Sequence, residues 1–165
     1  MGEVLYIGFK GKHNASSILV QSLASNYCLL TNSFAGLKKD IDCIEGDFDS
    51  IIMFGVDKNL EHSFRVERVA EKDDIRYSSV LDLEKILVRF HDAGINSFIA
   101  ETPTSYLCNE AYWHVLKKFS GKAVFIHIPT IKYFDDSLVQ KVKRVFSGGI
   151  LNDHLCCKAW TNGME

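Results

Sequence analysis

The chain has 165 residues, 47% of them apolar and 24% charged, with a net charge of −2. That is the balance of one globular domain, residues 1–165, with a core of ordinary size. Basic and acidic residues are interspersed, which leaves no footprint for nucleic acid or an acidic membrane surface, and no apolar run approaches the roughly 18 residues of a membrane span. Residues 1–8 have neither a basic head nor a long apolar stretch, so no signal peptide is expected. The cysteines number 5, an odd count without secretory features, which points to free thiols in a reducing compartment, the cytoplasm.

In chain order, residues 4–8 are a short apolar run ending at Gly8, read as a buried strand. Asn14 can cap a helix whose apolar positions are Ile18, Leu19, Leu23 and Ala24. Residues 27–30 read as a second strand, and residues 37–45 are ambiguous between loop and a poor helix. The acidic stretch from Asp40 to Asp49 is expected to be a solvated loop. Residues 50–55 (Ser-Ile-Ile-Met-Phe-Gly) are apolar without alternation, as suits a parallel strand buried on both faces. Residues 63–70 read as one further strand. Residues 80–90 predict an amphipathic helix stopped by Gly94, and residues 95–100 a strand. Residues 105–119 predict a helix with Ala111, Tyr112, Val115 and Phe119 on one face. Residues 123–128 read as a strand stopped at Pro129, and residues 135–146 as a helix closed by Gly148 and Gly149. This alternation predicts a three-layer α/β/α sandwich around a mostly parallel sheet. Active sites of such folds lie beyond the carboxyl ends of strands.

Two residues fall near such ends. Cys108 follows the strand of residues 95–100 by one loop and sits in the first turn of the next helix. Unpaired N–H groups and the positive end of the helix dipole favour a thiolate there; a buried structural cysteine is the alternative. His127 lies near the end of an apolar strand, where each ring nitrogen needs a partner. A thiol and a carboxylate would satisfy both; backbone groups could also do so. Glu67, in Phe64-Arg65-Val66-Glu67, is the candidate carboxylate to orient the imidazole, or else a solvated outward residue sharing a face with Arg65. His13, His62, His91 and His114 have no identifiable partners, and His114 is placed on the outer face of its helix. His154, Cys156 and Cys157 match no standard zinc spacing. They read as part of a C-terminal extension from about residue 150, near Trp160, and no metal or other cofactor is expected.

These segments together resemble the pyroglutamyl peptidases (pyrrolidone-carboxylate peptidases). The family's Tyr-Leu-Cys-Asn corresponds to Tyr106-Leu107-Cys108-Asn109, and its Phe-Ile-His-Ile-Pro is intact at residues 125–129. Its Glu-Arg-Val-Ala matches Glu67-Arg68-Val69-Ala70. Asp74-Ile75-Arg76 resembles its Asp-Ala-Arg, Gly8-Phe9 the start of its Gly-Phe-Glu-Pro-Phe-Gly-Gly, and Asn14-Ala15-Ser16 its Asn-Pro-Ser. The resemblance spans roughly residues 4–129. It implies a cysteine peptidase that removes N-terminal pyroglutamate from peptides with a Glu–Cys–His triad: Glu67, Cys108 and His127. It further implies a peptide substrate with a blocked N-terminus, Phe9, Tyr106 and Leu107 as pocket lining, Arg76 near the reacting carbonyl, and a homo-oligomer. Several positions depart from the family. The Pro-Phe-Gly-Gly stretch is missing, and with it a second aromatic wall. Pro103-Thr104 replaces Ala-Gly, so that threonine meets any demand for positive φ. Lys72 replaces an asparagine, and Asp57-Lys58-Asn59 replaces Gly-Gly-Arg. The alternatives are a divergent member with altered acyl or amide specificity, or a binding module that kept the fold without catalysis.

Overall fold

The computed structural model describes residues 3–147; the expectations for Gly148, Gly149 and the His154–Cys157 cluster lie outside them. Six strands form one sheet in the order β2-β1-β3-β8-β4-β7. They are β1 (Val4–Phe9), β2 (Tyr27–Leu30), β3 (Ser50–Val56), β4 (Ser63–Glu67), β7 (Asn96–Ala100) and β8 (Ala123–Ile128). Strands β1, β2, β3 and β8 run parallel, whereas β4 is antiparallel to β8 and carries β7 parallel to itself. The helices are α1 (Ala15–Leu23), α2 (Phe34–Asp42), α3 (Leu83–Asp92), α4 (Tyr106–Lys118) and α5 (Asp136–Phe146). Helices α1, α3 and α5 bury their apolar stripes on one face of the sheet, and α2 and α4 on the other. The expected α/β/α sandwich with a mostly parallel sheet is therefore observed.

The period of two along each strand assigns residues to these faces. In β8, Val124, Ile126 and Ile128 join the α1/α3/α5 core, and Phe125 joins the α2/α4 core. His127 therefore points to the α4 side. In β4, Phe64 and Val66 belong to the first core, which turns Arg65 and Glu67 to the α4 side as well.

Three expectations change. Residues 63–70 are two strands: after Glu67 the chain leaves the sheet, and β5 (Val69–Lys72) pairs instead with β6 (Ile75–Ser78). The break falls at Arg68, whose guanidinium turns out to bridge Glu84 and Glu101. The hairpin turns at Asp73 and Asp74, with φ of 51° and 63°, the pair of left-handed residues that a type I′ turn demands. The ambiguous segment is the regular helix α2, started by Ser33, whose side chain accepts from the Gly36 N–H; it takes up Asp40 and Asp42 of the expected loop. On α1, Ile18 is exposed while Ser16 and Ser17 are buried, because Ser16 faces the end of β1. Phe9 N–H donates to Ser16 Oγ, which donates to Asn14 Oδ1. A Cβ on Gly8 would stand 2.8 Å from the Ser16 carbonyl oxygen. The Gly8-Phe9 and Asn14-Ala15-Ser16 segments thus lock β1 to α1.

Among the described residues, no helix is long and apolar enough to cross a membrane.

Candidate active site

Gly55 on β3 pairs in register with His127 on β8, and Arg65 on β4 pairs with His127 from the other side. The imidazole thus sits between two strands, near the carboxyl ends of β3 and β8 but in the middle of the antiparallel β4. His127 is 3% exposed and Glu67 only 1%. Glu67 Oε1 lies 2.8 Å from His127 Nδ1. A carboxylate at that distance accepts the Nδ1 proton, which leaves Nε2 as the basic nitrogen. Arg65 Nε donates to the same Glu67 oxygen at 2.6 Å, and Arg65 Nη1 donates to Asp57 Oδ2 at 2.8 Å. Neither member of the buried acid–cation pair is left uncompensated. Burial works against the Asp57 charge, yet the Asn59 N–H, the Arg65 guanidinium and His127 hold its carboxyl below the ordinary range.

Cys108 comes to this group from α4. The helix is fixed by polar ties to the β4–β6 region. Asn109 exchanges two hydrogen bonds with the Glu71 backbone, of 3.1 and 2.7 Å, and Tyr112 Oη donates to the Glu67 carbonyl at 2.8 Å. Trp113 Nε1 donates to the Ile75 carbonyl, and Lys72 pairs with Glu110. His114, expected outside, is half-buried and pairs with Glu110 at 3.2 Å. These contacts hold the start of α4 above β3 and β8. Gly55 makes room for the sulfur: a Cβ there would stand 3.1 Å from Cys108 Sγ and 2.6 Å from Phe125 Cζ. Gly55→Ala is expected to cost about 1–3 kcal/mol, the usual range for overpacking a filled site, read as a lower urea midpoint with an unchanged slope.

The sulfur and the imidazole line one cavity of about 530 Å³. Its walls also include Asp57, Lys58, Asn59 and Arg65 on one side and Thr104 to Leu107 on the other. Burial pushes the Cys108 thiol from 9.0 up to about 12; the Glu67 and Asp57 charges add to this, and Arg65 opposes it. Burial therefore works against the thiolate that the helix dipole favours.

The N-terminus of α4 differs from the others. Asn14, Ser33, Asp82 and Asp135 cap α1, α2, α3 and α5 through their side chains, whereas Ser105 makes no such bond. The first N–H groups of α4 are therefore left without a capping side chain beside the cavity. Next to Ser105, Tyr106 adopts φ 64° and is 83% exposed. The left-handed conformation costs a non-glycine residue about 1–2 kcal/mol. It falls on Tyr106 and not on Thr104, where a glycine of the resembled family would have suggested it.

The structure brings Glu67, His127, Cys108, Tyr106 and Leu107 to one place, but not Phe9 or Arg76. Phe9 is buried beneath the site, its ring 6.3 Å from that of Phe125, which in turn lies 4.7 Å from the His127 ring. Arg76 is half-exposed on the β5–β6 hairpin, paired with Glu71 at 3.0 Å. Three residues that the sequence reading did not single out complete the site: Gly55, Asp57 and Arg65. Alternation along β4 placed Arg65 beside Glu67, but no pattern in the sequence revealed that this face is covered by α4.

No family model matches the chain. One relative, a pyrrolidone-carboxylate peptidase of Bacillus cereus (strain G9842), is 35% identical over 66 residues, which are 37% of this chain and 31% of that protein. The chain thus matches about a third of the length of that relative. The fold extends much further. The crystal structure of pyrrolidone carboxyl peptidase from Thermus thermophilus superposes with a TM-score of 0.72 at 19% identity, covering 86% of this chain and 97% of the other. Pyroglutamyl peptidase I from Bacillus amyloliquefaciens gives 0.74 at 18% identity, over 93% and 96%. In a stretch of its sequence and in its whole described fold, the chain is similar to the pyroglutamyl peptidase family.

Proposed function

We propose that the chain is a cysteine peptidase that removes N-terminal pyroglutamate from peptides, with Cys108 as nucleophile, His127 as general base and Glu67 as the residue that orients His127. The buried Glu67–His127 pair, whose histidine lines the same cavity as Cys108, carries this reading. His127 Nε2 takes the thiol proton as Sγ attacks the acyl carbon, and Glu67 stabilises the imidazolium that forms. The imidazolium then protonates the leaving amine as the tetrahedral intermediate collapses to a thioester. Water, deprotonated by His127, releases the acid and restores the thiol. The uncapped N–H groups at the start of α4 are the donors for the oxyanion, without Arg76, which is paired with Glu71 on the β5–β6 hairpin. Tyr106 and Leu107 line the acyl site. The setting is the cytoplasm, which keeps Cys28, Cys43 and Cys108 as free thiols, and the working form is a homo-oligomer.

The test is release of a chromophore from a pyroglutamyl amide by the intact protein. Turnover is expected, and none between pH 6 and 9, a range that roughly brackets an ordinary thiol, would sink the peptidase reading. The cavity wall favours one variation. Asp57, Lys58, Asn59, Arg65 and Thr104 line it while Phe9 does not, so polar acyl groups are the second class to assay.

A further inference from the structure

Arg65 makes three contacts that cannot all be ordinary hydrogen bonds if His127 Nδ1 also donates to Glu67. Its Nε donates to Glu67 Oε1 at 2.6 Å, its Nη1 donates to Asp57 Oδ2 at 2.8 Å, and its Nη2 lies 3.3 Å from His127 Nδ1. A guanidinium carries donors only. A neutral imidazole has two arrangements. With the proton on Nε2, Nδ1 could accept from Arg65, but its lone pair would then face a Glu67 oxygen at 2.8 Å. With the proton on Nδ1, the contact to Glu67 is a good hydrogen bond, and Arg65 Nη2 merely abuts the ring. The shorter contact decides for the second arrangement. One carboxylate oxygen then accepts from both Arg65 and His127, lying between two groups that would otherwise repel.

We propose that Arg65 is a positioning residue of this site: its guanidinium fixes the shared Glu67 oxygen, and so holds His127 in the tautomer whose Nε2 is bare. This rests on the reading of Glu67, Cys108 and His127 as a triad. Only a planar fork reaches both carboxylates from one side chain. The anchor at Asp57 sits just beyond β3, and the target carboxylate on β4, so the fork spans two strands of the sheet with β8 between them. The charged and titratable groups around Glu67 and its partners are Arg65 on β4, His127 on β8, Asp57 after β3, and Cys108 and Tyr112 on α4.

The test compares Arg65→Met with the unaltered protein by ¹⁵N imidazole signals, assigned to His127 through the His127→Gln variant. The unaltered protein is expected to show Nδ1 protonated and Nε2 bare, and Arg65→Met a mixture of the two tautomers. On a pyroglutamyl amide the same variant is expected to lose roughly 10²-fold in kcat, the scale of a misplaced catalytic group, with KM little changed. An unchanged His127 signal in Arg65→Met overturns the proposal. Should Arg65→Met fail to fold, Arg65→Lys keeps the cation without the fork and is judged by the same signal. If the unaltered protein turns over no pyroglutamyl amide, the peptidase reading fails, while the tautomer measurement still decides the role of Arg65.

Discussion

In Cys108→Ala, hydrolysis of a pyroglutamyl amide is expected to fall by roughly 10⁶-fold, as when the nucleophile of a triad is removed. Glu67→Gln is expected to cost roughly 10⁴-fold in kcat, because the wrong tautomer is then favoured. Glu67 Oε1 holds the Nδ1 proton at 2.8 Å. A glutamine can turn its NH₂ to Nδ1, move the ring proton to Nε2 and leave that nitrogen unable to act as a base. The substitution keeps volume in a site that is 1% exposed, so the fold is expected to survive, as far-ultraviolet circular dichroism would show. Groups that act as a unit are strongly non-additive. The double variant is therefore expected to be no slower than Cys108→Ala alone. Near-unaltered turnover in Glu67→Gln would remove Glu67 from the mechanism and leave the Arg65–Glu67 pair as structure only.

The parts of this molecule that could be read from its residues share one cause. Strands β1, β3 and β8 are covered by helices on both faces, so their sequences are unbroken apolar runs. A histidine inside such a run is conspicuous because it must be satisfied. Strand β4 is different. Its α4-facing side carries Arg65 and Glu67, which in an isolated sequence is the signature of a solvated face. Only the packing of Tyr112 and Cys108 over that side turns it into an interior. The break after Glu67 was hidden for a related reason: Val69 and Ala70 are apolar and buried, but they pair with β6 outside the main sheet, and Ala70 packs in the α2/α4 core. Asp57 shows only as part of the segment that replaces Gly-Gly-Arg, and Gly55 carries no local signal. One is a loop carboxylate that meets Arg65 through the fold, and the other is an absent side chain whose space the sulfur occupies. Arg76 shows the opposite limit. Its segment matches a family pattern, yet in this chain Glu71 on the facing strand takes its charge.

Cys108 is expected to react slowly with a small disulfide reagent at neutral pH, and ever faster as pH rises. Burial, with the Glu67 and Asp57 charges, moves its thiol from 9.0 to about 12. Three units lower the thiolate fraction at neutral pH by roughly 10³-fold. The more basic thiolate is the better nucleophile, which returns part of this, since the Brønsted slope is about 0.4–0.5. The net expectation is a rate roughly 30–60-fold below that of a small peptide thiol. Among the cysteines of the described residues, exposed Cys43 is expected to react first. The same shift bears on stability. Between pH 9 and about 12 the unfolded thiol releases its proton while the folded one keeps it. The unfolded state then binds fewer protons, so stability falls as pH rises through that window and is unaffected below it. Cys108→Ala should remove that part of the decline. These measurements also separate two forms of thiol catalysis. A resting thiolate–imidazolium pair would react at a rate that levels off near neutral pH. A thiol that gives up its proton only as it attacks gives a rate that is still climbing above pH 9. A plateau near neutrality would overturn the general-base step assigned to His127, even if Cys108 remained the nucleophile.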